Sequence, residues 1–144
     1  MTRVLMIDGN RKLTESVGRQ CLERRIAIRM TDTFCEGIRQ LLDVPASLVL
    51  LSAELVRLPG AELAKLFETI APGVPVVVRV ESGQGMDVQV KFELHGFRVV
   101  RAPFDIGDLL AKSSLLARVV QPSPSAAAAA VEAAEGCRAV EMFQ

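Results

Sequence analysis

Four mainly apolar, strand-like runs in this chain end on residues that matter for chemistry. Val4 to Ile7 leads into Asp8, with Gly9 and Asn10 behind it, and Leu48 to Leu51 leads into Ser52. Val74 to Val80 precedes Glu81, and Phe97 to Val100 precedes Ala102-Pro103. In an open sheet of alternating strands and helices, the functional crevice lies outside the carboxyl ends of the strands. The set to interrogate is therefore Asp8 and Gly9, Ser52, Val80 and Glu81, and Ala102-Pro103. Its chemistry is sparse. Magnesium is held by several oxygens, usually one or two carboxylates plus water and phosphate, and the acids in the set are Asp8 and Glu81, at the ends of different strands. A serine hydroxyl is a weak nucleophile without a base beside it, and no base flanks Ser52. Asp8 and Asn10 are suited to capping the helix that follows them.

Other candidates reduce to structure. His95 stands beside Gly96, a helix-ending pair, and has no nucleophile to serve. Gly83-Gln84-Gly85 lacks the Gly-Lys-Ser/Thr ending of a phosphate loop and reads as an ordinary connection. Cys21, Cys35 and Cys137 are far apart, with no Cys-x-x-Cys spacing. With one histidine, they make no zinc site, and they read as the reduced thiols of a cytosolic protein. No metal and no cofactor are expected, and the chain is not expected to be an enzyme.

The 144 residues suffice for one domain with a real core, and 17 basic residues balance 17 acidic ones. That balance argues against nucleic acid or a membrane surface as the partner. The apolar runs fall far short of the ~20 residues of a membrane-spanning helix. The first residues show no signal-peptide pattern, so a cytoplasmic location is expected. Seven basic residues precede position 30 (Arg3, Arg11, Lys12, Arg19, Arg24, Arg25 and Arg29) and read as a solvated face.

The elements that would position these residues follow from periodicity. Val4 to Ile7 and Leu48 to Leu51 are apolar without alternation, as in strands buried on both faces. Leu13, Val17 and Cys21 recur at four-residue steps within a helix over 11–25. Ile26, Ile28 and Met30 alternate as a second, more exposed strand. Thr33 and Glu36 have capping-box spacing before a helix carrying Phe34, Ile38, Leu41 and Leu42. Pro59-Gly60 opens a third helix with Leu63, Leu66, Phe67 and Ile70, and Val74 to Val80 is a fourth strand. Met86, Val90 and Leu94 form the stripe of a shorter helix. Phe97 to Val100 is a fifth strand, and Asp105 caps a last helix with Ile106, Leu109 and Leu110. Such alternation predicts an α/β fold: a doubly wound, five-stranded parallel sheet with helices on both faces, over residues 1–120. Residues 121–144, beginning Pro122-Ser123-Pro124-Ser125, read as a linker or tail dispensable for folding.

The same segments resemble the receiver domains of bacterial response regulators, the CheY-like family, over about residues 3 to 118. "VLMIDGN" is similar to the family's first strand with its acidic pair, and "LVLLSAELVRLPG" to the strand bearing the acceptor aspartate. "VPVVVRV" is similar to the fourth strand, and "GFRVVRAPFDIGDLL" to the segment with the family's Lys-Pro-Phe. The resemblance implies strand order 2-1-3-4-5 and a phosphoryl site at Asp8, Gly9, Ser52, Val80 and Ala102. At those positions the chemistry is missing. Ser52 replaces the acceptor carboxylate, Gly9 an acid, Val80 the hydroxyl, Ala102 the lysine, and Val99 the switch aromatic. Arg79 and Arg101 neighbour two of these positions, but a one-residue slip in a strand turns a side chain to the other face.

The resemblance thus implies a pseudo-receiver in signal transduction, acting without phosphorylation through protein–protein contact, as a homodimer or on an output partner. Its contact face would include Phe97, Val99, Leu115 and Val119. The alternative is a conventional two-component regulator phosphorylated, within a phosphorelay, at an atypical residue.

Overall fold

The computed structural model describes residues 2–116. Strand β1 (Arg3–Ile7) is followed by α1 (Arg11–Glu23), β2 (Ala27–Thr31) and α2 (Phe34–Asp43). Then come β3 (Leu48–Ser52), a single 3-10 turn (Ala53–Leu55) and α3 (Gly60–Ile70). The remainder is β4 (Val76–Val80), α4 (Met86–Glu93), β5 (Arg98–Arg101) and α5 (Ile106–Leu116). All four strand pairings are parallel, in the order β2-β1-β3-β4-β5. The doubly wound fold expected from the alternation is the one adopted. No helix among the described residues is long and apolar enough to cross a membrane.

The helix starts obey local chemistry. The side chains of Asn10, Thr33 and Asp105 accept the backbone N–H of Leu13, Glu36 and Gly107, at 3.1, 3.3 and 2.7 Å. Each satisfies one of the donors that the first helical turn leaves without a partner. Two helices end in the same way. Phe97 N–H returns to the Phe92 carbonyl and Gly96 N–H to that of Glu93, with Gly96 at φ 84°. Ile26 and Arg25 make the equivalent bonds to Cys21 and Leu22, and Arg25 takes φ 56°. The left-handed cap therefore ends α1 two residues short of the helix expected from its stripe.

The central strands are buried on both faces, and their alternate residues feed two cores. Leu5, Ile7, Val49, Leu51, Val76 and Val78 pack against α2, α3 and α4, whereas Val4, Met6, Leu48, Leu50 and Val77 pack against α1 and α5. Helix α2 approaches β1 closely: a Cβ on Gly37 would lie 2.3 Å from Ile7 Cδ1. A larger residue there would require the Ile7 side chain or the helix to shift.

Two expectations are corrected in this framework. Phe97 is core: it is buried between Phe67 and Phe92, with both rings edge-on at 6.3 Å. Burying an aromatic ring of this size contributes roughly 1.5–3 kcal/mol, so exposing it as a contact face would be costly. The apolar stripe of α4 is reversed. Met86, Val90 and Leu94 are 70%, 40% and 75% exposed, while Phe92 and Val88 face inward. Val99 is half-buried against the α4-side core. Leu115 belongs to α5, and Val119 lies outside the described residues, as does the segment 121–144.

Candidate functional site

The crevice at the carboxyl ends of β1, β3 and β4 is built by register. Residues paired across neighbouring parallel strands place their side chains on the same face. Ile7 pairs with Leu51, so Asp8 and Ser52, each one residue further, share the face of α1 and α5. Ser52 pairs with Arg79 and Arg79 with Val100. The β4 residue on this face is therefore Arg79, and Val80, one residue on, turns to the opposite face. This corrects the sequence reading, which set Val80 in the crevice and Arg79 outside it. The shift has a simple cause: the face is fixed by pairing with Ser52, a relation between strands that neighbouring residues do not specify.

Arg79 fills the space between the strand ends. Its Nε and Nη2 form a fork on the two oxygens of the Asp8 carboxylate, the Nη2 bond measuring 2.9 Å. Nη2 also donates to Ser52 Oγ at 3.3 Å, and Nη1 donates to Glu81 Oε1 at 2.8 Å. Arg79, Asp8 and Ser52 are 3%, 4% and 2% exposed. Burial alone would weaken the hold of the guanidinium on its proton. The hydrogen bonds and negative charges of Asp8 and Glu81 more than reverse this, and Arg79 titrates above the ordinary arginine range. A charge buried this deeply survives only when paired and hydrogen-bonded. Asp8 also accepts the Asn10 N–H at 2.9 Å, so the same carboxylate orders the start of α1, as its capping role implied.

The neighbouring loop is held from both faces. Arg101 pairs with Val80 and projects to the α4 side. There it donates to the carbonyls of Glu81 at 2.6 Å and Gln84 at 3.1 Å, and Glu81 N–H donates to Gln84 Oε1 at 2.8 Å. Residues 81–84 are thus fastened by Arg79 through the Glu81 side chain and by Arg101 through its backbone.

The remaining sequence candidates do not join this network. Gly9 is exposed, and a Cβ there would meet nothing within 4 Å, so no steric demand excludes an acid at that position. Ala102 is exposed beyond the end of β5, and Glu54 is exposed in the 3-10 turn. His95 is exposed and lies against Gly60 at the start of α3. Among the described residues no cluster of three or more His, Cys, Asp or Glu side chains is placed to hold a metal ion. Cys21 is fully buried, and desolvation raises its thiol pKa. The residue that sequence reasoning missed, Arg79, carried one signal: a charge inside the otherwise apolar Val76–Val80 must find a buried partner.

No protein-family model matches the sequence, and no curated protein matches it. Solved structures do. A two-component response regulator from Clostridium difficile superposes with TM-score 0.64 at 20% identity, over 81% of this chain and 95% of that one. A CheY-like receiver domain from Methanospirillum hungatei gives 0.65 at 19% identity, over 81% and 93%. The beryllofluoride-activated NtrC4 receiver domain dimer gives 0.65 at 19% identity, over 80% and 95%. The fold is that of a receiver domain. At these identities the likeness is one of architecture, and the receiver fold leaves the chemistry of the crevice to its own residues.

Proposed function

We propose that this receiver-fold chain is a signalling module that works without phosphorylation, by protein–protein contact, and carries no catalysis of its own. The observation behind this reading is the position of the Arg79 guanidinium. It sits where the three strand ends meet, satisfied on all sides by Asp8, Ser52 and Glu81. A cation built into the chain already pairs with Asp8, the acid at the position resembling the family's metal-binding carboxylates. Ser52, at the position resembling the acceptor, is an alcohol engaged as a hydrogen-bond partner. Beryllofluoride, as in the NtrC4 receiver named above, would find no aspartate at that position.

The contact face is assigned to α4. Met86, Val90 and Leu94 recur at i, i+4 and i+8 and form one exposed apolar ridge. Apolar residues exposed together on one face are the usual mark of a contact surface, unlike the same residues scattered singly. A second copy of the chain or an output protein would cover it.

Incubation with acetyl phosphate and magnesium, followed by intact mass measurement, tests the reading. Neither the wild type nor Ser52→Asp should gain a phosphoryl group, because a carboxylate at 52 would be drawn into the Arg79 pair. A phosphoryl group gained by the wild type on Asp8, Glu54 or a neighbour would overturn the proposal in favour of a conventional regulator.

A further inference from the structure

We propose that the groove between α2 and the β1–β2 edge of the sheet binds a small organic acid: a carboxylate on an apolar body that also bears a hydrogen-bond donor. This site lies on the face opposite the Arg79 crevice and does not depend on the function proposed above.

Register defines its floor. Arg3 pairs with Ala27 and Leu5 with Arg29. Leu5 belongs to the core beneath α2, α3 and α4, so all four side chains project to that face. Toward the interior of the sheet this face is roofed by packed helices. At the β2 edge it opens into a groove of about 400 Å³ whose other wall is Gln40 and Val44 of the α2 end. That volume is within the range of small-molecule sites, roughly 300–1,000 Å³. Ala27 sits between two arginines on the floor and leaves the space that a larger side chain would fill.

Three features specify the ligand. First, Arg3 and Arg29 are exposed, and neither forms an ion pair with the described residues, unlike Arg24, Arg39 and Arg79. Two guanidiniums on adjacent strands are matched to a carboxylate, whose oxygens accept their forked donors. Their full charges outweigh the partial negative charge of the α2 carboxyl end. Second, Leu5, Ala27 and Val44 give the groove an apolar lining for a ring or a short chain. Third, Gln40 Oε1 is buried with no hydrogen-bond partner among the described residues. Buried acceptors are almost always satisfied, and a turn of the Gln40 side chain into the groove would let a donor on the occupant satisfy this one.

The test is an amide-resolved NMR titration of the full chain with 4-hydroxybenzoate, run beside benzoate, benzyl alcohol and inorganic phosphate. Saturable shifts are expected at residues 3–5, 27–29 and 40–44, with a dissociation constant of about 1 mM or tighter. Arg29→Gln should weaken binding at least about tenfold, and Arg3→Gln serves as the second variant if the first is poorly folded. Gln40→Leu should reduce 4-hydroxybenzoate to the affinity of benzoate and leave benzoate unchanged. The proposal is overturned by any of three results. These are no saturable shift by about 10 mM, an equal response to phosphate or benzyl alcohol alone, or shifts centred on Asp8 and Ser52.

Discussion

Arginines occur at both ends of this sheet, and they live under opposite conditions. At the carboxyl end Arg79 is buried and every guanidinium nitrogen has an acceptor, two of them on Asp8. At the β2 edge Arg3 and Arg29 are exposed, without a carboxylate partner among the described residues, beside an open groove. A guanidinium inside a protein must be closed off by its neighbours, whereas one at the surface keeps its charge available. The first arrangement leaves no free charge for a ligand, and the second leaves two.

Breaking the buried pair should have the largest effect. Asp8→Asn removes the buried one of Arg79's two counter-charges, leaving only the partly exposed Glu81, and should cost about 3 kcal/mol in urea unfolding. Replacing both partners with apolar residues, Asp8→Leu with Arg79→Met, should recover most of that loss, because the cost lies in the orphaned charge. If Asp8→Asn unfolds like the wild type, the crevice is wetter than its burial indicates. A smaller effect is expected at the rim. The Glu81 side chain is about one-third exposed, and Glu81→Gln should cost no more than about 1 kcal/mol by the same measurement. The smallest effect belongs to the open end. Arg29→Gln loses no internal partner and should leave stability within about 0.5 kcal/mol of the wild type. A larger loss would mean that the groove arginines are structural, and the contrast between the two ends would fail.

Much of the fold was legible from the residue pattern. The continuous apolar runs at Val4–Ile7 and Leu48–Leu51 became central strands buried on both faces. The Thr33–Glu36 spacing became a capped helix start, and Gly96 after His95 became a left-handed helix end. These are local signals, carried by a few neighbouring side chains and the backbone they satisfy. The α4 stripe was legible as a helix and misleading about direction. Met86, Val90 and Leu94 share a face, but Phe92, one large ring, outweighed them in docking α4 onto the sheet, where it meets Phe97. Periodicity reports that a face exists and is silent about which face the core selects.

The candidate site divides along the same line. The sequence by itself determined that Asp8 and Ser52 stand at the ends of apolar strand runs, and that Gly9 and Ala102 bring no carboxylate or cation. It also determined that an arginine interrupts β4. Only the tertiary structure decided that this arginine pairs with Ser52 in register, turns inward and closes on Asp8, because register is a relation between strands distant in the chain. The same holds for the groove. Arg3 and Arg29 are 26 residues apart in the sequence, and only the β1–β2 pairing sets them on one floor with Ala27 between them. Local chemistry specified the elements, and long-range pairing specified which charges meet.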